Sequence, residues 1–413
     1  MSDSVLSGAS RASETANNQK TGILKGNKVV SATLGVAIVL TILGIGLWVF
    51  QLWGGMLNTN MRNLSSWGLY IILFMLFVGL SAGGLIISSI PKVTGLGDFG
   101  GINKIAIWTS ITCTLLAVGF VVVDLGSPWK VWELFAYANF SSPLMWDIIA
   151  LSLYLIISII YLWATLRYEK GKLSNTGMRA LSAIALVAAC AVHTVTAWIF
   201  GLQISHEFWY TALLGPWFIS SALLSGLALV LIVVFALSKL GYVQIKRENI
   251  LKMTKLLGVF TAIDLYFFAC DLLTSGFVGG ESAAVVTMLT QGPLALFFWF
   301  EIAVGVAAMF IAFVPKFRRN GAIVFASCVS ILAILCKRIQ LLIGGFQIPN
   351  IDYWSTTTGP HSVEYLGVPG GSLSSLIYAP SLLELGVAFG VVALGVAILI
   401  IGLHLLPLKP LKK

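Results

Sequence analysis

Ionisable side chains occur inside segments of this sequence that are otherwise apolar. His193, Asp264 and Glu301 are each flanked by runs of hydrophobic residues. An imidazole beside a buried carboxylate can take up and release protons near neutral pH. The pattern therefore indicates proton transfer, either to a bound ligand or along a route through the protein. The full set is His193, Asp264, Asp271, Glu301, Lys337 and Arg338, with Asp124, Asp147 and Glu384 at the edges of apolar segments.

The composition indicates that these apolar segments lie in a membrane. Only 10% of the 413 residues are charged, 58% are hydrophobic and the mean hydropathy is +0.96. A soluble domain averages about 25% charged residues. This contrast excludes a soluble enzyme, a disordered chain and a disulfide scaffold.

Ten apolar segments are long enough to cross a bilayer as helices, which takes about 20 residues. Continuous apolar runs favour helices over barrel strands, whose residues alternate in polarity. The sequence therefore predicts an all-α integral membrane protein. The predicted spans are 29–53, 67–90, 104–124, 143–163, 179–201, 211–238, 252–274, 291–314, 320–343 and 381–406.

The basic residues predict the orientation of these spans. Of the 25 Lys and Arg residues, all but Arg62, Lys130, Lys337 and Arg338 lie on one side of the predicted topology. By the positive-inside rule that side is cytoplasmic, so both termini are expected in the cytoplasm. The net charge of +9 is thereby explained without a nucleic-acid partner.

Four regions follow from this topology. A cytoplasmic tail is expected over 1–28, a transmembrane domain over 29–408 and a second cytoplasmic tail over 409–413. The first tail is polar with no apolar core, so no cleaved signal peptide is expected. The long outer connection 344–380 is interpreted as a cap or a partner-docking surface, with a plain solvated loop as the alternative.

The intramembrane ionisable residues all map between the middle of the bilayer and its outer surface. A charge at the bilayer centre costs about 2.5–3.5 kcal/mol, so such residues are candidates for function. This one-sided distribution predicts a pocket that opens from the outer half. Lys337 or Arg338 could pair with Glu301 or Asp271, and the alternative is that these groups form structural salt bridges only.

The sequence offers few ligands for a redox centre of its own. His193 is the one histidine well inside a predicted span, so a haem held by two histidines is not expected. The five cysteines are isolated from one another, so neither an iron–sulfur cluster nor another metal site is indicated. Any electron carrier must then come from a partner or a diffusible ligand.

A weak internal repeat predicts the helix arrangement. Span three ends at Asp124 before Pro143, and span seven ends near Asp271 before Pro293. Spans 2–5 and 6–9 would then form two four-helix bundles of the same orientation. Spans 1 and 10 would be peripheral.

Several motifs resemble one family of membrane subunits. The segments Asp124-Leu-Gly-Ser-Pro-Trp129 and Phe140-Ser-Ser-Pro143-Leu-Met-Trp146 resemble the D-L-G-R-P and F-S-S-P-M-S-W segments of polysulfide-reductase-type (NrfD-like) subunits. The segment around His193 is similar to the ten-span branch of that family, which includes membrane subunits of periplasmic hydrogenase, quinone reductase complex and alternative complex III. The resemblance covers roughly residues 67–345, and Ser127 stands where the family usually has arginine.

The resemblance implies an integral subunit of a respiratory oxidoreductase complex in a prokaryotic cell membrane. Such a subunit has no cofactor of its own and exchanges electrons between menaquinone or another quinone and an outer, ferredoxin-like iron–sulfur subunit. A molybdopterin enzyme or a hydrogenase is the implied catalytic partner. His193, Asp264 and Asp124 match the quinone site, and a proton route or buried ion pairs are expected at Asp271, Glu301, Lys337 and Arg338.

Two other functions stay open from the sequence. The protein could serve as a quinone-independent anchor and proton conduit of such a complex. It could instead be a proton- or cation-coupled secondary transporter, since glycine-rich helices and buried acids also occur in transporters.

Overall fold

The computed structural model describes residues 27–62, 65–94, 102–206, 208–243, 245–347 and 378–408. Ten helices in these ranges are long and apolar enough to cross a membrane, which confirms the predicted all-α membrane fold. The predicted terminal tails and most of the predicted cap at 344–380 lie outside the described residues. In chain order, α1 to α10 are Lys28–Gly54, Leu69–Thr94, Ile102–Asp124, Pro143–Glu169, Asn175–Gly201, Leu214–Lys239, Arg247–Val278, Ala295–Phe313, Asn320–Gln347 and Leu382–Leu405.

The boundaries of α7 and α4 differ most from the prediction, since α4 ends at Glu169 rather than at 163, and α8 begins later than predicted. α7 begins five residues before the predicted 252 because charged residues continue its helix beyond the apolar run. It ends where Gly279 adopts a φ of 80°, a left-handed conformation that favours glycine. A separate helix, Gly280–Thr290, then precedes α8, which begins at Ala295 rather than at 291.

The ten helices form two four-helix bundles and one peripheral pair. α2 to α5 pack against one another in one bundle, and α6 to α9 pack against one another in a second. α1 and α10 lie against each other and, through α10, against α3. This arrangement confirms the two bundles predicted from the internal repeat.

The two bundles meet along α2 and α6, where glycines bring the backbones close together. A Cβ atom added to Gly83 would lie only 2.5 Å from Gly226 Cα and 2.4 Å from Ala222 O. Small residues permit such close approach of membrane helices, whose association depends on packing rather than on exclusion of water. α5 also packs against α6, and α9 against α2, so these four helices form the wall shared by both bundles.

Polar contacts fix the helices at both ends of the molecule. We call the end where α1 begins and α10 ends the terminal end, and the opposite end the distal end. At the terminal end, Lys104 Nζ lies 2.9 Å from Glu169 Oε2 and 2.7 Å from Pro407 O. At the distal end, Trp209 Nε1 donates a 2.7 Å hydrogen bond to Leu341 O.

The close contact of α2 with α6 generates a prediction about stability. The substitution Gly83→Ala should lower the free energy of unfolding by about 1–3 kcal/mol, because the added methyl group overpacks a backbone contact. Gly46→Ala is the matched control, since nothing lies within 4 Å of a Cβ at Gly46. Unfolding in mixed micelles with increasing SDS would compare the two variants. Equal stability of both would contradict a tight contact between the bundles.

Candidate functional site

Three charged side chains meet in the core of the second bundle. Lys337 on α9 forms ion pairs with Asp264 on α7 and with Glu301 on α8, the latter at 3.1 Å from Nζ to Oε1. Asp264 and Glu301 are each 2% exposed, and Lys337 is 5% exposed. We call these three residues the ion cluster. It includes the predicted pairing of Lys337 with Glu301 and adds Asp264 to it.

Neighbouring side chains complete the hydrogen bonding of the ion cluster. Ser220 donates to Asp264 Oδ1 at 3.2 Å, and Gln340 Nε2 donates to Glu301 Oε2 at 2.9 Å. The lysine ammonium lies 4.7 Å from the centre of the Trp217 ring, close enough for a cation–π interaction. Such additional hydrogen bonds stabilise a buried ion pair, because the attraction between the two charges alone barely offsets the cost of removing them from water.

An enclosed cavity of about 30 Å³ adjoins the ion cluster on its distal side. A water molecule needs roughly 10–15 Å³ of such volume, so the cavity can hold water. Within the described residues, Gln340 Oε1 and Arg338 Nε are buried without a hydrogen-bond partner, which makes the lining polar enough for it. The polar lining residues are Thr211, Asp271, Glu301, Lys337, Arg338 and Gln340.

The connection between α5 and α6 covers this cavity at the distal end. Phe208 and Thr211 of the connection line the cavity. His206 Nδ1 lies 3.0 Å from Gly345 O at the end of α9, and its ring centre lies 4.3 Å from that of Trp209. Burial lowers the pKa of His206, so its neutral ring donates from Nδ1 to the carbonyl.

Arg338 follows Lys337 directly in the chain but contacts different partners. Its side chain is 1% exposed, and among the described residues no carboxylate forms an ion pair with it. Its Nη2 donates a 2.6 Å hydrogen bond to Ser221 Oγ, and the guanidinium lies 3.8 Å from the centre of the Phe218 ring. Both partners are on α6, in the wall between the bundles.

His193 lies in the core of the first bundle, on α5. Its side chain is 1% exposed, and in the part of the protein that the structure describes neither ring nitrogen makes a hydrogen bond of normal geometry, although the Ala189 carbonyl one turn earlier interacts with the ring. The charge of Arg338 acts on the imidazole from the second bundle. His193 therefore has an electrostatic neighbour in the second bundle, which the sequence could not indicate.

One acid near His193 was given no role by the sequence. Asp147 on α4 is buried and accepts a hydrogen bond from Thr196, which lies three residues beyond His193 on α5. Residues three apart on a helix are neighbours on its surface. The Asp147 carboxylate, which is bonded to Thr196, therefore lies about one turn of α5 from the His193 imidazole. The only sequence signal was its position near the beginning of an apolar span.

Asp124 lies in a separate polar cluster at the distal end, together with Gln51, Tyr70, Tyr378 and Glu384. The electrostatic neighbours of Asp124 are Glu384 and Tyr70 rather than His193 or Asp264. Tyr70 donates to Gln51 Oε1 at 2.6 Å, and Tyr378 donates to Glu384. Burial and the Glu384 carboxylate raise the pKa of the Tyr378 phenol, which keeps it protonated as the donor.

The structure thus divides the predicted site residues into three groups. Asp264, Glu301 and Lys337 form the ion cluster, and Asp271 lines the cavity beside it. His193 lies in the first bundle, and Arg338, which contacts Ser221 on α6, is one of its electrostatic neighbours. Asp124 belongs to the distal polar cluster. Nowhere in the described ranges do three His, Cys, Asp or Glu side chains meet in a group that could hold a metal ion.

The fold and these groups define a class of protein: a helical membrane protein of two four-helix bundles with buried ionisable groups at their shared wall. Residues 57–350 match the family model described as polysulphide reductase, NrfD, which is most of the sequence. The chain belongs to this family.

Several relatives resemble the protein over most of its length. It is 33% identical to a putative dimethyl sulfoxide reductase membrane subunit of Halobacterium salinarum, over 91% of each protein. It is 25% identical to an Hdr-like menaquinol oxidoreductase integral membrane subunit of Archaeoglobus fulgidus, over 91% of this sequence and 93% of that subunit. It is 24% identical to one of the chains of the polysulfide reductase of Wolinella succinogenes, over 71% of this sequence and 98% of the relative.

The ion cluster generates a prediction about buried charge. Lys337→Met should lower the free energy of unfolding by about 3–5 kcal/mol, because two carboxylates would stay buried without their cation. Adding Asp264→Asn and Glu301→Gln should restore much of the loss, since no charge would then be uncompensated. Unfolding with SDS in mixed micelles measures both effects.

The exposed pair of Lys252 with Glu248 supplies the control, at 2.7 Å between the charged atoms. Lys252→Met should leave stability unchanged within error, because exposed pairs contribute little. A triple variant no more stable than Lys337→Met alone would contradict the electrostatic explanation.

Proposed function

We propose that this protein is the membrane subunit of a respiratory oxidoreductase complex and that it binds a quinone or quinol beside His193. Membership of the family and the names of the relatives, which include reductase membrane subunits and a menaquinol oxidoreductase subunit, support a subunit of this kind. Electrons would pass between the ligand and an iron–sulfur subunit, and through it a molybdopterin enzyme or a hydrogenase.

The single observation that carries the ligand site is the state of the His193 ring. A neutral imidazole has one donor and one acceptor nitrogen. Both are buried, and neither makes a hydrogen bond of normal geometry in the described residues; the Ala189 carbonyl of the same helix can interact with one of them at most. An unsatisfied buried polar group costs about 1–3 kcal/mol, so the ring is suited to a ligand oxygen. A quinone carbonyl or a quinol hydroxyl supplies such an oxygen on a flat, apolar ring.

The residues around His193 fit proton exchange with such a ligand. Reduction of a quinone takes up two electrons and two protons. His193 would bind a ring oxygen and pass a proton at that atom through the same hydrogen bond. Asp147, held by Thr196, is the neighbouring acid that would exchange protons with the imidazole. A role of Asp264 or Asp124 beside the quinone stays a prediction.

The second bundle would conduct protons. Glu301 and Lys337 of the ion cluster line one cavity together with Asp271, and this cavity is large enough for water. Water connects groups that are too far apart for direct hydrogen bonds. Because this cavity extends toward the distal end, the route would open there through the connection between α5 and α6.

The distribution of basic residues supports an orientation. The positive-inside rule places the terminal end and both termini in the cytoplasm of a prokaryotic cell. The distal end, with the connection between α5 and α6 and the distal polar cluster, would then face the iron–sulfur subunit outside the cytoplasm.

A second candidate function follows from the ion cluster itself. Its contacts with α6, α7, α8 and α9 are complete without His193. The same protein could therefore anchor the complex and conduct protons without using a quinone.

Purification of the native complex tests these proposals. The complex would be isolated in mild detergent, its proteins identified by mass spectrometry and its quinone measured after lipid extraction. The wild type should retain an iron–sulfur protein and a quinone. His193→Ala should retain the protein partner and lose most of the quinone.

Thr194→Val is the matched control for this experiment. Its hydroxyl is bonded to Cys190 O of its own helix at 2.9 Å, so its loss should leave the quinone content unchanged. Partners without any quinone in the wild type would favour the anchor and proton conduit. A protein that purifies alone and takes up a solute in vesicles would favour a secondary transporter.

A further inference from the structure

A crevice at the distal end lies between the connection from α3 to α4 and the first turns of α4. Its volume is about 460 Å³, which is within the range of pockets that hold small ligands. Lys130, Glu133 and Tyr137 of the connection line it on one side. Leu144 and Ile148 of α4 are among the residues on the other side. No residue of the ion cluster or of the distal polar cluster lines this crevice, so it is a separate site.

The connection presents one helical face to the crevice. Its backbone forms short helical turns at Pro128–Lys130 and Glu133–Ala136, and Tyr137 N continues the second turn by donating to Glu133 O. The lining residues of this segment are spaced as i, i+3, i+4 and i+7, which places them side by side on one face. They are Lys130, Glu133, Leu134 and Tyr137.

The aromatic residues of the connection indicate its depth relative to the bilayer. Trp129, Trp132 and Phe135 alternate with the lining residues and are exposed. Tryptophan is enriched where the lipid headgroups meet water. Further along α4, Leu153 and Ile156 are exposed apolar residues of a membrane-spanning helix, so this side of α4 contacts lipid. The crevice therefore lies at the level of the headgroups, where a lipid can enter it from the bilayer.

Two opposite charges line the crevice together with these apolar side chains. Lys130 and Glu133 are three residues apart, yet neither forms an ion pair within the described parts of the chain. Asn139 also lines the crevice, and its Oδ1 accepts a 3.1 Å hydrogen bond from Ser141 N, which leaves its NH₂ group as a donor. A cation and an amide donor suit a phosphate, whereas a carboxylate suits an ammonium group.

We propose that this crevice binds one membrane phospholipid whose headgroup carries both a phosphate and a primary ammonium. Lys130 and Asn139 bind the phosphate, and Glu133 binds the ammonium. One acyl chain begins along Leu144 and Ile148, and the rest of the lipid stays in the bilayer. This inference needs only the membrane fold, so it does not depend on the proposed quinone site.

Competition between two lipids with the same acyl chains tests the proposal. The purified full-length protein would be stripped of lipid in detergent and mixed with equal amounts of palmitoyl-oleoyl phosphatidylethanolamine and phosphatidylglycerol. Native mass spectrometry would count the first lipid bound. Both lipids have a phosphate, but only the first has an ammonium group. We expect about fivefold more phosphatidylethanolamine, because a single contact between exposed charges has a modest effect.

Three variants locate the site and separate its two charges. Glu133→Gln should abolish the preference by weakening phosphatidylethanolamine alone. Lys130→Met should weaken both lipids about threefold, since it removes the partner of the phosphate that they share. Ile148→Trp should also weaken both, because the larger side chain would fill the crevice.

The matched controls are Glu248→Gln and Lys252→Met, which remove the same two kinds of charge from an exposed pair. Neither should change the amount or the ratio of bound lipid. Circular dichroism of each variant would verify that the helices are intact. The proposal is overturned if the wild type prefers phosphatidylglycerol or neither lipid, or if Glu133→Gln keeps the preference. It is also overturned if Ile148→Trp binds both lipids as the wild type does. Loss of quinone in the complex would leave this inference unaffected.

Discussion

The bilayer offers no water to a buried charge, and this constraint explains the arrangement of the second bundle. Lys337 reaches two carboxylates from two other helices, so a single ammonium joins α7, α8 and α9. Each acid receives a further hydrogen bond from Ser220 or Gln340. Charges that would oppose folding if separated therefore specify which helices are neighbours.

The same constraint gives the first bundle a different character. His193 and Asp147 lie in its core with few partners, and no cation of the first bundle compensates the acid among the described contacts. Polar groups left in this state are suited to a ligand that brings its own hydrogen-bonding atoms. The two bundles share an arrangement of helices but differ in their polar groups: the second bundle pairs its buried acids with a lysine, and the first leaves His193 available to a ligand.

The membrane-spanning helices could be predicted from the sequence, because each one corresponds to a run of consecutive apolar residues whose length can be read directly. All ten spans were predictable in this way, and the two bundles were predictable from the internal repeat. The extent of α7 was not, since charged residues continue the helix past the apolar run. Among the pairings within the site, the sequence suggested Lys337 with Glu301, but it did not predict Lys337 with Asp264, because such contacts join distant helices. The sequence suggests that Asp147 lies at the edge of an apolar segment, but the side chain is buried and accepts a hydrogen bond from Thr196. Asp124 has Glu384 rather than His193 as its electrostatic neighbour.

Lys337 and Arg338 occupy consecutive positions on α9, one turned to the ion cluster and the other to α6. A rigid helix moves its residues together. Any shift or rotation of α9 that brings the guanidinium closer to the ligand site must also change how the ammonium is shared between Asp264 and Glu301. A conformational change in one bundle can therefore affect the other bundle mechanically as well as electrostatically. The coupling runs through α9 and needs no other chain of contacts.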